Sequence, residues 1–208
     1  MTWYGQKDTD KLISDYFQSS HVGVCVEVGV SDGIKGSNTL HFERERGWRT
    51  LCIDPIPEHV EAARKIREYV WQGACGAHPS KEEFYIFDIG ERNILSSLSG
   101  LKPDPKLLVS HGHLINKCYT INVSVDPLTS ILMYANMPKH IDFISIDTEG
   151  TELDVLYGLG LEEELDFTVS LLVVENNHNE PEIEQYLNTC GWSKVERYFV
   201  NDFYMKEK

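Results

Sequence analysis

Apolar residues in this chain gather in short, nearly unbroken runs at residues 22–28, 49–54, 70–75, 141–146 and 169–174. The runs have strand length and are rich in Val and Ile, as expected of strands buried on both faces. Helical spacing fills the stretches between them. Leu12, Ile13, Tyr16 and Phe17 fall on one face of a helix over 9–18. Further helices are predicted over 39–46, ended by Gly47, and over 58–69, opened by Pro55 and Pro57. Three more follow over 126–134, 152–159 and 181–190, the last stopped by Gly191. Strands alternating with helices predict an α/β fold, a mostly parallel sheet covered by helices. Residues 194–200 and 203–206, joined at Asn201-Asp202, predict an antiparallel hairpin that closes the sheet.

The middle of the chain breaks this rhythm. Residues 81–88 and 119–125 alternate apolar with polar, whereas 93–113 is rich in Ser, Gly, Pro, Lys and His without a clear period. Residues 79–117 are therefore expected to form a β/loop insertion, or lid, in a single domain spanning 1–208.

Two strand ends carry candidate chemistry. The first strand runs into Glu27-Val28-Gly29-Val30-Ser31-Asp32-Gly33, and the second ends in Asp54. A residue without Cβ lets the backbone at Gly29 and Gly33 approach a ligand closely. An acid at the next strand tip accepts hydrogen bonds from ribose hydroxyls in nucleotide-binding sheets. The turn reads E-x-G-x-x-x-G rather than G-x-G-x-x-G. Its longer spacing suits a nucleoside joined to an amino acid better than a pyrophosphate. That argues for S-adenosylmethionine and against a nicotinamide dinucleotide.

Charge and composition narrow the partners. A net charge of -14 and a pI of about 4.9 argue against a nucleic-acid partner, which usually needs a basic face. No apolar run reaches the ~18 residues of a membrane span, and the first residues lack an export-signal pattern. The five cysteines are scattered without a C-x-x-C pair, which reads as reduced thiols of a cytoplasmic protein packed as small apolar groups.

Four segments resemble the FkbM family of S-adenosylmethionine-dependent methyltransferases. They are Val26 to Gly33 followed by Ser37-Asn38-Thr39; Gly47 to Pro55; Ile141 to Glu152; and Gly191-Trp192 through Tyr204. The I-D-x-E-G-x-E run in the third, from Ile146 to Glu152, is the most specific. Asp54 stands where close relatives often carry the longer glutamate. The resemblance implies a class I methyltransferase fold, Rossmann-like, with a seven-stranded sheet. It also implies methylation of hydroxyl oxygens on sugars, glycans or small natural products.

On that reading Gly29 and Gly33 shape the turn beside the methionine part of the cofactor, and Glu27 meets its amino group. Asp54 holds the ribose, and Ala74 or Cys75 flanks the adenine. Ser37, Asn38 and Thr39 form a polar entry to a helix, where capping and lining the site are compatible. Asp32 reads equally as a site residue or a helix-start acid; Glu149 either points into the site or is a first-turn helix acid, and Glu152 reads as a first-turn helix acid. Asp147, beside the expected sulfonium, has three open roles: holding the amine, accepting a proton or binding a cation. Asp147, Glu175 and Asn176 together resemble the metal triad of catechol-type methyltransferases, and their oxygens suit Mg²⁺. His178 is a candidate general base, since imidazole titrates near neutrality, or else a surface histidine in a polar loop. His111 and His113 read as acceptor-side residues or as part of a solvated loop.

The expected reaction is O-methylation of a small-molecule or glycan substrate, without a nucleic-acid or membrane partner and with a homodimer allowed for. An alcohol must lose its proton to attack, so a base or a cation is required near Asp147, Glu175 and His178. The alternatives are transfer to a nitrogen or carboxylate, and a non-catalytic subunit that binds the cofactor or a nucleoside.

Overall fold

The computed structural model describes residues 1–89, 99–103, 105–162 and 167–206. Its strands are β1 (Val24–Val28), β2 (Arg49–Asp54), β3 (Tyr69–Gln72), β4 (Ala74–Cys75), β5 (Ser80–Asp88), β6 (Lys117–Asp126), β7 (His140–Ile146), β8 (Thr168–Glu175), β9 (Trp192–Tyr198) and β10 (Asn201–Lys206). The helices are α1 (Thr9–Asp15), α2 (Leu40–Arg46), α3 (Pro57–Ala63), α4 (Pro105–His111), α5 (Leu128–Tyr134), α6 (Glu152–Leu159) and α7 (Pro181–Thr189). No described helix is long and apolar enough to cross a membrane.

Seven strands form the main sheet in the order β3-β2-β1-β7-β8-β10-β9. The first five of these run parallel, and β10 lies antiparallel to both β8 and β9. The predicted α/β sheet with its closing hairpin is thus the fold observed. Period-two alternation divides the strands between two cores. Val26, Val28, Ile144, Ile146, Leu172 and Val174 pack with α5, α6 and α7 through Ile131, Leu156 and Leu187. Cys25, Phe143, Leu171, Val173 and Phe203 pack on the other face with Ile13, Phe42 and Trp48. Glu27 and Ser145 share the parity of that second set, so they emerge on the face covered by α1 and α2.

A three-stranded sheet, β4-β6-β5, holds its own core of Ile56, Ala74, Phe84, Ile86, Val123 and Val125. The single strand expected over 70–75 is split at Gly73. Gln72 still pairs with Asp54, but Ala74 and Cys75 pair with Val125 and Asp126 of the second sheet.

Other boundaries also move. Helix α3 ends at Ala63, and a turn closed by Arg67 N–H to the Ala63 carbonyl carries the chain to β3. The hairpin turn falls at Phe199-Val200 rather than Asn201-Asp202. Asp202 is pulled into β10 because its buried carboxylate accepts from Arg197 at 2.7 Å and Asn176 at 3.0 Å. Within the stretch read as aperiodic, residues 105–111 form α4, while 90–98 and 104 lie outside the described residues.

Candidate functional site

The C-terminal tips of β1, β2 and β7 open into a cavity of about 960 Å³. Of the residues expected to bind a cofactor, Glu27, Gly29, Ser37, Asp54, Ala74, Cys75 and Asp147 line it. Gly33, Asn38 and Thr39 stand behind that wall.

Gly29 shows how tightly the tips converge. Its φ is +89°, and a Cβ there would lie 1.7 Å from the Asp147 carbonyl oxygen. The Gly29 N–H donates to the Ile53 carbonyl at 2.9 Å, and the Asp147 N–H donates to the Val28 carbonyl at 3.0 Å. The neighbouring strand itself therefore demands glycine at this position.

At the tip of β2, Asp54 Oδ2 accepts the Ser31 N–H at 2.9 Å and Oδ1 accepts the Ile56 N–H at 2.9 Å. Each oxygen keeps a second lone pair for a ligand. The Asp32 carboxylate caps the local turn, accepting from the Ile34 and Lys35 N–H groups at 2.8 and 2.9 Å.

Glu27 is buried and heavily bonded. Oε2 accepts the Ser37 hydroxyl at 2.7 Å and the Thr39 hydroxyl at 2.6 Å, and Oε1 accepts the Asn38 N–H at 2.6 Å. Asn38 also donates to Ser145 Oγ at 3.0 Å. The expected polar entry Ser37-Asn38-Thr39 thus acts chiefly on Glu27. Burial pushes the Glu27 carboxyl upward, against the pull of Arg67 and of these hydrogen bonds.

Arg67 completes this layer. Its fully buried guanidinium donates to Glu43 Oε2 at 2.7 Å, the Gly33 carbonyl at 3.0 Å, Ser37 Oγ at 3.1 Å and Thr39 Oγ1 at 2.7 Å. It lies 3.8 Å from Glu27. Gly33 (φ +82°) packs against α3, where a Cβ would stand 3.1 Å from that of Ala63. Gly33 therefore serves this packing and the Arg67 bond.

On the far side, carboxylate oxygens of Asp147, Glu149 and Glu175 lie within 4.8 Å of one another. The side chains of Asp147 and Glu175 are in hydrogen-bond contact. Burial is the leading cause that pushes both carboxyls upward, and their mutual repulsion adds to it for Glu175. Glu152, in the first turn of α6 as expected, folds back to organise the loop before it. Its Oε1 accepts the Thr148 N–H at 2.8 Å, the Thr148 hydroxyl at 3.0 Å and the Gly150 N–H at 3.2 Å. That bonding holds Glu149 (φ +59°) and Gly150 (φ +114°) in left-handed conformations.

Of the expected metal triad, Asp147 and Glu175 come together, and Asn176 is turned elsewhere. Asn176 Oδ1 accepts the Glu180 N–H at 2.7 Å, and Nδ2 donates to the Glu180 carbonyl and to Asp202. Its amide is spent on the loop after β8, and Glu149 takes its place in the carboxylate group. With the Asn176 amide oxygen committed, any cation here would be held by the three carboxylates of Asp147, Glu149 and Glu175 rather than by the expected triad. His178 is exposed and lines a second cavity of about 180 Å³ with Lys102, Glu149 and Glu175. Glu149 borders both cavities. His111 and His113 are exposed and line neither.

A family model described as the methyltransferase FkbM domain matches residues 27–194. The chain belongs to the FkbM methyltransferase family. No curated protein matches the sequence. Among solved structures, methyltransferase FkbM from Methylobacillus flagellatus KT superposes with a TM-score of 0.55 at 15% identity. The match covers 92% of this chain and 45% of that one, so this chain spans less than half of that protein's length. Two structures of the METTL16 MTase domain superpose with TM-scores of 0.53 and 0.52 at 9% and 8% identity. Each covers 96% of this chain and 65% of the other. At such identities the likeness is one of fold, that of class I methyltransferases.

Three contributors to the FkbM-family cavity escaped the sequence reading. Tyr4, Gly5 and Gln6 line it because residue 5 bridges to residue 36, with the Gly36 N–H donating to the Tyr4 carbonyl at 3.0 Å. Ser99 and Leu101 line it from a strap lying along the Glu149-Gly150 loop, where a Cβ on Gly150 would meet the Lys102 carbonyl at 3.1 Å. His59 lines it from α3, with Nδ1 3.3 Å from Asp54 Oδ1. The only local signal for His59 was its place in the helix that follows the acid.

Proposed function

We propose that this chain transfers a methyl group from S-adenosylmethionine to a hydroxyl of a sugar, glycan or small natural product. The observation that carries the reading is one cavity walled by Gly29, Asp54 and Asp147 at three adjacent strand tips, in a chain of a methyltransferase family. Ligands of open α/β sheets bind at such tips. When bound, S-adenosylmethionine supplies a methyl group activated by positively charged sulfur. The free lone pair on Glu27 Oε1 faces the amino-acid end, and the remaining lone pairs of Asp54 take the ribose hydroxyls. Ala74 and Cys75, with Phe84 nearby, offer an apolar wall for the adenine. Asp147 is the proton acceptor for the attacking hydroxyl, because a carboxyl pushed up to about 7 suits general-base work, and Glu175 stands beside it. The second cavity admits the acceptor past Glu149, with Lys102 and Pro105 in its wall. A net charge of -14 favours a neutral acceptor over a polyanion.

The cofactor assignment is tested by calorimetry with S-adenosylhomocysteine. Asp54→Ala is expected to weaken binding by about one to two orders of magnitude through lost ribose hydrogen bonds; unchanged affinity in a folded variant refutes the role of Asp54. The acceptor class is tested by methyl transfer to panels of glycosides, amines and RNA oligonucleotides, with and without chelator. Transfer to glycosides that persists in chelator is expected. Transfer confined to amines or RNA overturns the acceptor class, and binding without transfer to any panel supports a non-catalytic subunit.

A further inference from the structure

We infer that His59 is a specificity-determining residue of the nucleoside pocket, acting with Asp54 to recognise a ribose cis-diol. The inference rests on the nucleoside reading of the cavity above. Three observations point to it. His59 lines the cavity together with Asp54 and Glu58. Its Nδ1 stands 3.3 Å from Asp54 Oδ1, close enough for an ion pair but outside hydrogen-bond geometry. That nitrogen is buried without a hydrogen-bond partner. An unpaired buried nitrogen costs free energy, and native structures keep few of them.

The chemistry of the pair identifies the ligand. A carboxylate only accepts hydrogen bonds, whereas neutral imidazole carries one donor and one acceptor nitrogen. Each Asp54 oxygen already receives one backbone N–H, which leaves one acceptor site on each. A hydroxyl both donates and accepts, so a diol set against Asp54 gives its protons to the carboxylate. It then needs a donor of its own, and the imidazole beside Asp54 supplies one. The lone charged group at the strand tip thereby becomes a two-residue reader that distinguishes a ribonucleoside from its deoxy counterpart.

The test compares S-adenosylhomocysteine with its 2′,3′-dideoxy analogue by calorimetry on the wild type, His59→Phe and His59→Asn. Phenylalanine keeps the ring and its packing, and asparagine restores a polar group near the position of Nδ1. His59→Phe is expected to weaken S-adenosylhomocysteine about tenfold, the order of one hydrogen bond, while leaving the dideoxy analogue unchanged. His59→Asn is expected to recover most of the loss. Equal weakening of both ligands, or none, overturns the inference, since a purely structural histidine would not discriminate the diol. A wild type that fails to bind S-adenosylhomocysteine overturns this inference and the proposed function together. Normal wild-type binding with indifferent variants overturns this inference alone.

Discussion

Gly29 is the residue on which the site closes most tightly. A Cβ at this position would overlap the carbonyl of Asp147, in backbone that already sits at φ +89°. Gly29→Ala is therefore expected to destabilise the fold by about 3 kcal/mol or more, since both the close contact and the left-handed conformation oppose it. Urea denaturation checks this, and an unchanged midpoint would contradict so close an approach of β1 and β7. The glycine was legible from the sequence, but its reason was only half legible. The motif points to a ligand near the turn, whereas the atom that excludes a side chain belongs to a distant strand. Asn38 and Thr39 teach the same lesson. Their polarity marks them as site residues, yet their hydrogen bonds serve Glu27 behind the wall.

Among the elements, the short helix α3 departs furthest from expectation, and the departure has a consequence. Helical spacing over 58–69 would leave Arg67 among Lys65, Arg64 and Glu68 as one more solvated charge. The helix ends at Ala63, and the following turn directs the Arg67 guanidinium inward to the Gly33–Thr39 loop. Arg67→Met is expected to cost about 3–5 kcal/mol, because removing one member of a buried ion pair leaves Glu27 and Glu43 uncompensated. Arg67→Lys should lie between, keeping the charge but losing the fork that reaches four acceptors. Urea unfolding gives the stability, and a loss no larger than that of an exposed arginine would contradict this account. The splitting of the 70–75 strand at Gly73 is comparable, because a partner strand from later in the chain redirects it.

For the whole molecule, the Asp147–Glu175 pair links the sheet to pH. The folded protein holds Asp147 pushed up to about 7 and Glu175 also raised, with burial the leading cause. The unfolded chain releases those protons near pH ~4. The stability associated with the pair is thus fully present below that range and lost as pH rises through the folded values. Glu175→Gln removes one of the two buried acids. It is expected to flatten this decline and to raise the melting temperature by roughly 3 °C at about pH 8. Thermal melts across pH check the slope, and stability of the wild type that rises from mildly acid to mildly basic pH would contradict it.

The sequence by itself determined the α/β class, the parallel strands, the closing hairpin and the acids and glycine at the strand tips. Those features rest on local burial patterns, which each segment carries in its own residues. The tertiary structure decided what those tips meet. It set β1 between β2 and β7, seated Arg67 behind Glu27 and His59 beside Asp54, and placed Glu149 rather than Asn176 with Asp147 and Glu175. Apolar periodicity records how often a position faces water. Which polar groups share a buried pocket depends on strand order and on the paths of loops far apart in the chain.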